Sequence, residues 1–160
     1  QLLCGARLGE RIAWLQELFA SQGIAAAFVK GAVLRRYYPV PELREMDFGL
    51  FERKSYETLR FDPYYIKWIT DESGDCTCPW GESRNTFYTR VCDGFKAFAA
   101  ETDAGSACIV CHGGTICAIL DSFCTEKRGF YEWQPSFGHG WRLELTVSDT
   151  LPQLTLLERI

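Results

Sequence analysis

The amino-acid sequence predicts an α/β fold built around a parallel sheet. Two short runs of mostly small, apolar residues, 24–29 and 107–111, predict strands, and the second has the character of a strand that is buried on both faces. A helical pattern of apolar residues precedes each run, and another follows the second one. Such buried strands are typical of parallel sheets, whose connections must cross over the sheet, usually through a helix.

The first predicted strand lies between a helix and a pair of arginines. Residues 8–19 carry apolar side chains on one helical face, and Gly23 supplies a stop signal. The strand at 24–29 follows, and Arg35 and Arg36 come soon after its end. Because adjacent side chains point in different directions, we expect at most one of these arginines to serve a pocket at the sheet edge. The alternative is a pair of solvated arginines.

The middle of the chain predicts helices separated by an acidic loop. Residues 54–60 are compatible with a short helix, and a second helix begins with Asp62 as its cap and Pro63 at its first position. Residues 71–81 are acidic and rich in turn formers, which predicts a flexible loop that could lie over a pocket. Ser83 is the expected cap of the clearest amphipathic helix. The apolar residues of that helix are spaced by four, four and three: Phe87, Val91, Phe95 and Phe98.

The central feature of the sequence is a histidine–glycine turn between the second strand and a helix. His112-Gly113-Gly114 interrupts the apolar run that ends at Cys111, and residues 116–123 resume a helical pattern. This order puts His112 where the carboxyl edge of a sheet meets a helix start, the usual ligand position in open α/β sheets. N–H groups at a helix start attract anions, phosphate above all. The alternative for a lone histidine is a core residue with satisfied hydrogen bonds.

Two strands are predicted near the end of the chain. Residues 141–147 alternate apolar and polar side chains, as in a half-buried strand, and residues 153–160 predict a weaker final strand. His139 lies in a glycine-flanked turn before them, and we expect it at the surface. Because the sequence has no internal repeat or linker, we expect a single domain over residues 1–160.

Composition narrows the class of protein. The chain has 160 residues, of which 47% are hydrophobic and 24% charged, and its net charge is −4. These values are typical of globular proteins, and no apolar run reaches the roughly 18 residues of a membrane helix. The negative charge argues against general nucleic-acid binding, although a few local arginines suffice to bind a small phosphorylated molecule.

The eight cysteines favour reduced thiols in a cytoplasmic protein. A chain of this length and apolar content does not need disulfides for stability. The alternative is a structural zinc site that combines Cys76 and Cys78 with Cys108 and Cys111. A single residue separates the first pair, which is closer than zinc ligands usually are, so zinc is the weaker hypothesis.

Three blocks of the sequence resemble motifs of the histidine phosphatase superfamily, the phosphoglycerate mutase-like group, and occur in the same order. They are residues 43–49, reading Leu-Arg-Glu-Met-Asp-Phe-Gly, residues 81–83, reading Gly-Glu-Ser, and residues 111–116, reading Cys-His-Gly-Gly-Thr-Ile. Within the superfamily the chain looks most similar to bacterial phosphatases of the alpha-ribazole phosphatase type. The resemblance implies a mainly parallel sheet with helices on both faces, here without its first strand.

The resemblance also implies a chemistry and a set of site residues. In the family a histidine takes the phosphoryl group before water does, and a carboxylic acid transfers the protons. His112 corresponds to a second histidine that donates to the phosphoryl oxygens, and the Gly113 N–H would add to it. Glu82 corresponds to the general acid/base. Arg35, or alternatively Arg36, corresponds to a phosphate-binding arginine. The chemistry requires no metal or cofactor, because histidines and arginines supply the positive field.

One motif of the family is absent from the sequence. The attacking histidine of the family lies in an Arg-His-Gly motif, and neither His112 nor His139 has that context. We therefore expect the complete protein to be a phosphatase for a small phosphorylated metabolite, with alpha-ribazole phosphate as one candidate, and the N-terminally incomplete chain to be inactive alone. The alternative is an inactive protein that binds a phosphorylated ligand. Trp68, Trp80 and Trp133 are candidates for the pocket lining, with core packing as the alternative.

Overall fold

The computed structural model describes the backbone of residues 24–28, all of residues 40–102, 105–148 and 151–160, and positions 14, 17, 18 and 20–22. The helix predicted at 8–19 lies mostly outside these residues, although its described positions are helical. Arg35 and Arg36 also lie outside them. None of the described helices combines the length and the apolar character that crossing a membrane requires.

Two strands form a parallel pair, as the sequence predicts. β1 (Ile24–Phe28) and β2 (Ser106–Val110) pair residue by residue along their whole length, so both strands end at the same edge. The prediction that the second strand is buried on both faces is wrong, because Cys108 and Ile109 are half-buried and the rest of β2 is exposed. Among the described strands only β1 pairs with β2, which leaves the other edge of β2 open.

The two C-terminal strands form a separate antiparallel hairpin. They are β3 (Trp141–Val147) and β4 (Pro152–Arg159), close to the predicted bounds. The described strands therefore form one parallel and one antiparallel sheet, and not the single, mainly parallel sheet that was expected. The segment at 148–151 explains this difference, because so short a connection can join antiparallel neighbours but cannot cross over a sheet. A parallel bridge between Cys124 and Leu154 connects β4 with the segment before the hairpin.

The described part of the chain contains four complete α-helices and three 3-10 turns. The helices are α1 (Tyr56–Leu59), α2 (Pro63–Ile69), α3 (Arg84–Glu101) and α4 (Gly113–Phe123). The turns are Pro41–Leu43, Gly49–Phe51 and Phe130–Trp133. All four helices lie in segments whose residue pattern predicts a helix.

Two helices begin with the caps that the sequence predicts. The Asp62 carboxylate accepts a 2.9 Å hydrogen bond from the Tyr64 N–H at the start of α2. The Ser83 hydroxyl accepts a 3.1 Å bond from the Thr86 N–H at the start of α3. Each cap satisfies an N–H group that has no partner within its helix, so the two helices begin at defined residues.

Helices α3 and α4 pack against each other in the hydrophobic core, which also contains side chains of the turns, of the two short helices and of β4. Phe87, Val91 and Phe95 are buried, as predicted, whereas Phe98 is half-buried. Phe95 packs against Phe123 of α4, with 4.9 Å between the ring centroids. Because α4 is fixed by this core along most of its length, the turn that precedes it has a defined position as well.

The loop at 71–81 is held by its own hydrogen bonds, in contrast to the flexible loop that was expected. The Asp71 carboxylate accepts from the Ser73 hydroxyl at 2.7 Å and from the Cys76 N–H at 2.9 Å. The Asn85 side chain at the start of α3 donates to Asp75 at 2.8 Å. The acidic residues that indicated a solvated loop thus organise it and attach it to α3.

Replacement of Gly94 by alanine tests the contact between α3 and the turn Pro41–Leu43. Alanine favours a helix over glycine, but a Cβ on Gly94 would lie 2.4 Å from the Cβ of Glu42. We expect Gly94→Ala to lower the free energy of unfolding by about 1–3 kcal/mol, measured by urea denaturation. Gly105→Ala is the matched control, because no atom of the described residues lies within 4 Å of its added methyl group. Equal stability of the two variants would contradict the contact.

Candidate active site

His112 lies at the junction that the sequence predicts, between the end of β2 and the start of α4. It is the N-cap residue of α4, with an extended backbone, and its carbonyl oxygen accepts a 3.0 Å hydrogen bond from the Ile116 N–H. The Nδ1 atom of its imidazole is buried and has no hydrogen-bond partner among the described residues. The Gly113 backbone N–H belongs to the same first turn. A hydrogen-bonding ring nitrogen is therefore free beside the positive end of a helix dipole.

Glu45 brings a carboxylate to this turn, a contact that the sequence analysis missed. Its Oε2 atom accepts a 3.1 Å hydrogen bond from the Gly114 N–H, and Oε1 accepts a 3.0 Å bond from the Met46 N–H. A Cβ on Gly114 would lie 2.4 Å from Oε1, so only glycine admits this close approach. The buried Thr115 hydroxyl adds a 3.2 Å bond to the carbonyl oxygen of Arg44. Glu45 thus docks its segment on the first turn of α4.

The sequence carries a partial signal for this docking. Leu43 and Met46, on either side of Glu45, are both buried, so the carboxylate sits between two anchored residues. Apolar residues three apart indicate that such a segment packs on the core, although they do not say on which element. No Lys or Arg among the described residues forms an ion pair with Glu45.

Glu82, the predicted general acid/base, is held by arginines. Arg90 donates to both of its carboxylate oxygens, from Nε at 2.8 Å and from Nη2 at 2.7 Å. Arg44 adds a longer ion pair of 3.8 Å, and the Asp47 N–H donates to the carboxylate at 3.0 Å. Arg90 also donates to the carbonyl oxygens of Glu42, Arg44 and Glu45. The Glu82–Arg90 pair therefore holds residues 44–47 in position through hydrogen bonds to their backbone. This segment contains Glu45, which contacts the His112 turn.

The charge state of Glu82 follows from these contacts. Burial alone would raise the pKa of Glu82, but the hydrogen bonds from Arg90 and Asp47 and the charges of Arg90 and Arg44 outweigh it and lower the pKa below its ordinary value. A carboxylate held in this way keeps its negative charge at neutral pH. These contacts favour a positioning role, and the catalytic role of Glu82 stays a prediction.

A tight backbone contact attaches the Glu82 loop to the segment of Glu45. The Leu50 N–H donates to the Pro79 carbonyl oxygen at 2.9 Å, and the Glu82 N–H donates to the Asp47 carbonyl oxygen at 2.8 Å. Between them Gly49 has a φ of +51°, and a Cβ there would lie 2.1 Å from the Pro79 oxygen. The two segments therefore approach more closely than any side chain at this position would permit.

Among the described residues, no hydrogen bond joins the other candidate residues to the His112 turn. His139 is exposed in its turn, as expected, and its Nδ1 atom lies 3.2 Å from the Ile160 carbonyl oxygen. Trp68 and Trp133 are buried in the core, whereas 88% of Trp80 is exposed. Core packing therefore accounts for the first two tryptophans. The predicted contribution of Arg35 lies outside the described residues.

The cysteines do not form a metal site in the described part of the chain. No group of three or more His, Cys, Asp or Glu side chains there has an arrangement that could hold a metal ion. Burial, followed by nearby negative charge, raises the pKa of Cys78 to about 11 and that of Cys111 to about 12. Both thiols therefore ionise less readily than an ordinary cysteine.

Comparisons with known proteins agree with the motifs. A family model for the histidine phosphatase superfamily (branch 1) matches residues 24–147. An Escherichia coli K-12 structure, provisionally described as an alpha-ribazole-5'-P phosphatase, superposes with a TM-score of 0.62 at 20% identity, covering 84% of this chain and 72% of the other. The alpha-ribazole phosphatase structure from Shigella flexneri gives 0.63 at 19% identity, covering 83% and 72%. No curated protein sequence matches the chain. At these identities the structures show a shared fold.

The Glu82 pair predicts an acid-sensitive stability. Because the pKa of Glu82 is lowered from 4.5, its stabilising effect is present above about pH 4.5 and is lost as the pH falls through the lower, folded-state value. We expect Glu82→Gln to cost about 2 kcal/mol in the free energy of unfolding at pH 7, and the cost to shrink as the pH falls below about 4.5. Urea denaturation at pH 7 and at a series of acidic pH values measures the difference.

Glu57→Gln is the control for this prediction. Glu57 also pairs with an arginine, at 3.3 Å, but 74% of its side chain is exposed. We expect its replacement to leave the pH dependence of stability unchanged. A Glu82→Gln curve that stays parallel to the wild-type curve through the acid range would show that ionisation of Glu82 does not stabilise the fold.

Proposed function

Because this chain belongs to the histidine phosphatase superfamily, branch 1, whose members are generally phosphatases and mutases, we propose that the protein hydrolyses phosphomonoesters of a small metabolite through a phosphohistidine intermediate. The observation that supports this proposal best is the convergence of the His112 imidazole, the first N–H groups of α4 and the Glu45 carboxylate at one turn. Donors for the phosphoryl oxygens and an acid for the leaving oxygen are two of the groups that phosphoryl transfer uses.

The phosphoryl group would bind at the start of α4. Its equatorial oxygens would accept hydrogen bonds from the His112 imidazole and the Gly113 N–H, in the positive field of the helix start. Arg44 lies next to Glu45 in the chain, and its buried Nε atom has no partner among the described residues, so it is a further candidate donor. Arg35 remains a predicted phosphate ligand. No cofactor enters this scheme.

The attacking histidine would come from an additional strand. Neither histidine of this sequence lies in an Arg-His-Gly motif, and the described part of the sheet leaves one edge of β2 open. Parallel strands end at the same edge, so a strand on that side of β2 would deliver the residues that follow it to the His112 turn. Its imidazole nitrogen would form a bond to phosphorus while the bond from phosphorus to the leaving oxygen breaks. Water would then break the N–P bond and release phosphate.

Proton transfer in this scheme is assigned to Glu45. The leaving oxygen needs a proton, and the attacking water must later lose one. Glu45 contacts the His112 turn directly and has no described cationic partner, whereas Glu82 is held as an anion by Arg90. A phosphate dianion bound beside a carboxyl group favours the protonated form that the first step needs. We therefore propose Glu45 as the proton donor and Glu82 as the residue that positions its segment.

The substrate is proposed at the level of a class. Two similar structures carry names that refer to alpha-ribazole phosphate, which makes that compound one candidate among small phosphate esters. The second candidate function is binding of a phosphorylated ligand without hydrolysis. It is favoured by the lack of the nucleophile motif in this sequence, because the donors around His112 could hold phosphate without it.

An assay of the full-length gene product distinguishes the two functions. We expect hydrolysis of para-nitrophenyl phosphate, an N–P-linked phosphoenzyme that is labile in acid, and a loss of kcat/KM of about 100-fold or more in His112→Ala. His139→Ala is the control and should keep full activity. Binding of vanadate by calorimetry without hydrolysis would instead support the ligand-binding function. A protein that neither binds vanadate nor hydrolyses the ester would contradict both functions.

The leaving group of the substrate tests the assignment of Glu45. An alkyl phosphate needs a proton on its departing oxygen, whereas para-nitrophenolate leaves without one. We expect Glu45→Gln to lower kcat by about 100-fold or more for an alkyl phosphate and by much less for para-nitrophenyl phosphate. The same measurement on Glu82→Gln should show equal losses for both esters, because that variant loses positioning. The reverse pattern would restore Glu82 as the acid.

A further inference from the structure

The Gln134 side chain lies across the first turn of α4, beside the proposed phosphoryl site. A Cβ on Gly113 would lie 3.1 Å from its Nε2 atom and 3.4 Å from its Cδ atom. The amide group therefore lies close to Gly113, the residue that directly follows His112. The function proposed above assigns no role to Gln134, and the sequence analysis did not predict it as a site residue.

The backbone of Gln134 is fixed by the core. Its N–H donates to the Tyr131 carbonyl oxygen at 3.2 Å and so closes the turn Phe130–Trp133. The side chain of Trp133 is completely buried and packs edge-on against Trp141, whose indole N–H donates to the Trp133 carbonyl oxygen at 2.7 Å. A side chain that extends from such a support can hold an amide at a constant place.

The amide of Gln134 is available to a ligand. It makes no hydrogen bond to any residue that the structure describes, and the residue is solvent-exposed. A primary amide offers two donor hydrogens and an acceptor oxygen. Phosphoryl oxygens only accept, and the N–H groups and imidazole of the turn already suit them. A hydroxyl group both donates and accepts, so it matches the amide better.

We propose that Gln134 is a specificity residue that recognises a hydroxyl group on the alcohol part of the ester, close to the phosphate. The proposal rests on the phosphoryl site at His112. It assigns to the site a polyhydroxylated ester, such as a sugar phosphate, in preference to a plain alkyl or aryl phosphate. The amide would form one or two hydrogen bonds to the hydroxyl group while the start of α4 holds the phosphoryl oxygens.

Calorimetry on the 160-residue chain tests this proposal, because its lack of an Arg-His-Gly motif allows esters to bind without hydrolysis. The probes are inorganic phosphate, ethyl phosphate and ribose 5-phosphate. We expect ribose 5-phosphate to bind about fivefold more tightly than ethyl phosphate, as one hydrogen bond provides. Gln134→Ala should remove this preference and leave the affinity for inorganic phosphate unchanged. Gln153→Ala, which changes an exposed glutamine of β4, should keep the preference.

The outcomes separate this proposal from the proposed function. If Gln134→Ala keeps the preference while His112→Ala abolishes the binding of all three probes, the role of Gln134 is wrong and the phosphoryl site stands. If wild-type protein binds no probe, the phosphoryl site itself is rejected, and the role of Gln134 with it. Gln134→Asn controls for folding, because it keeps an amide but shortens its reach, and it should also lose the preference. Equal losses for phosphate and ribose 5-phosphate in Gln134→Ala would likewise overturn the proposal.

Discussion

The docking of residues 44–47 on the first turn of α4 is the interaction on which the candidate site depends. The Gly114 N–H donates to the Glu45 carboxylate, and the Thr115 hydroxyl donates to the Arg44 carbonyl oxygen. The first of these uses a helix-start N–H that has no partner within α4. Because α4 is also fixed in the core, the docking places an acid and an imidazole against one rigid support. Without it, His112 would cap a helix at a sheet edge, and the Glu45 carboxylate would not be held at the same turn.

The two glutamates of this site have the same side chain but different hydrogen-bond partners. Glu82 is bound by Arg90 through both oxygens, and these contacts lower its pKa, so it carries a negative charge at neutral pH. That anion holds Arg90, whose remaining N–H groups bind carbonyl oxygens of the segment that carries Glu45. Glu45 itself accepts only backbone N–H bonds among the described contacts. No described Lys or Arg forms an ion pair with Glu45, and this separates it from Glu82.

Local pattern and resemblance predicted a large part of this molecule. The two helix caps, the amphipathic α3 and the position of His112 depend on neighbours in sequence, and each was predicted from the residues; the superfamily followed from three motifs. The contact of Glu45 was missed because it joins residues 69 apart in the chain, through a segment without periodicity. The exposure of β2 was also missed, since burial of a strand depends on its neighbours in the sheet and not on its own apolar residues. The antiparallel hairpin is a separate difference, because the short connection at 148–151 cannot cross over a sheet.

The close approach of the backbone at Gly49 to the Pro79 carbonyl oxygen has an evolutionary consequence. Neither segment can accept a bulkier residue or a register change there without displacing the other, and each carries one of the two glutamates. Substitutions at this backbone contact would have to occur in coordinated pairs, one in each segment. New substrate preferences would therefore arise more readily at side chains that face outward around the site, where a single exchange alters recognition and leaves the acid-bearing framework intact.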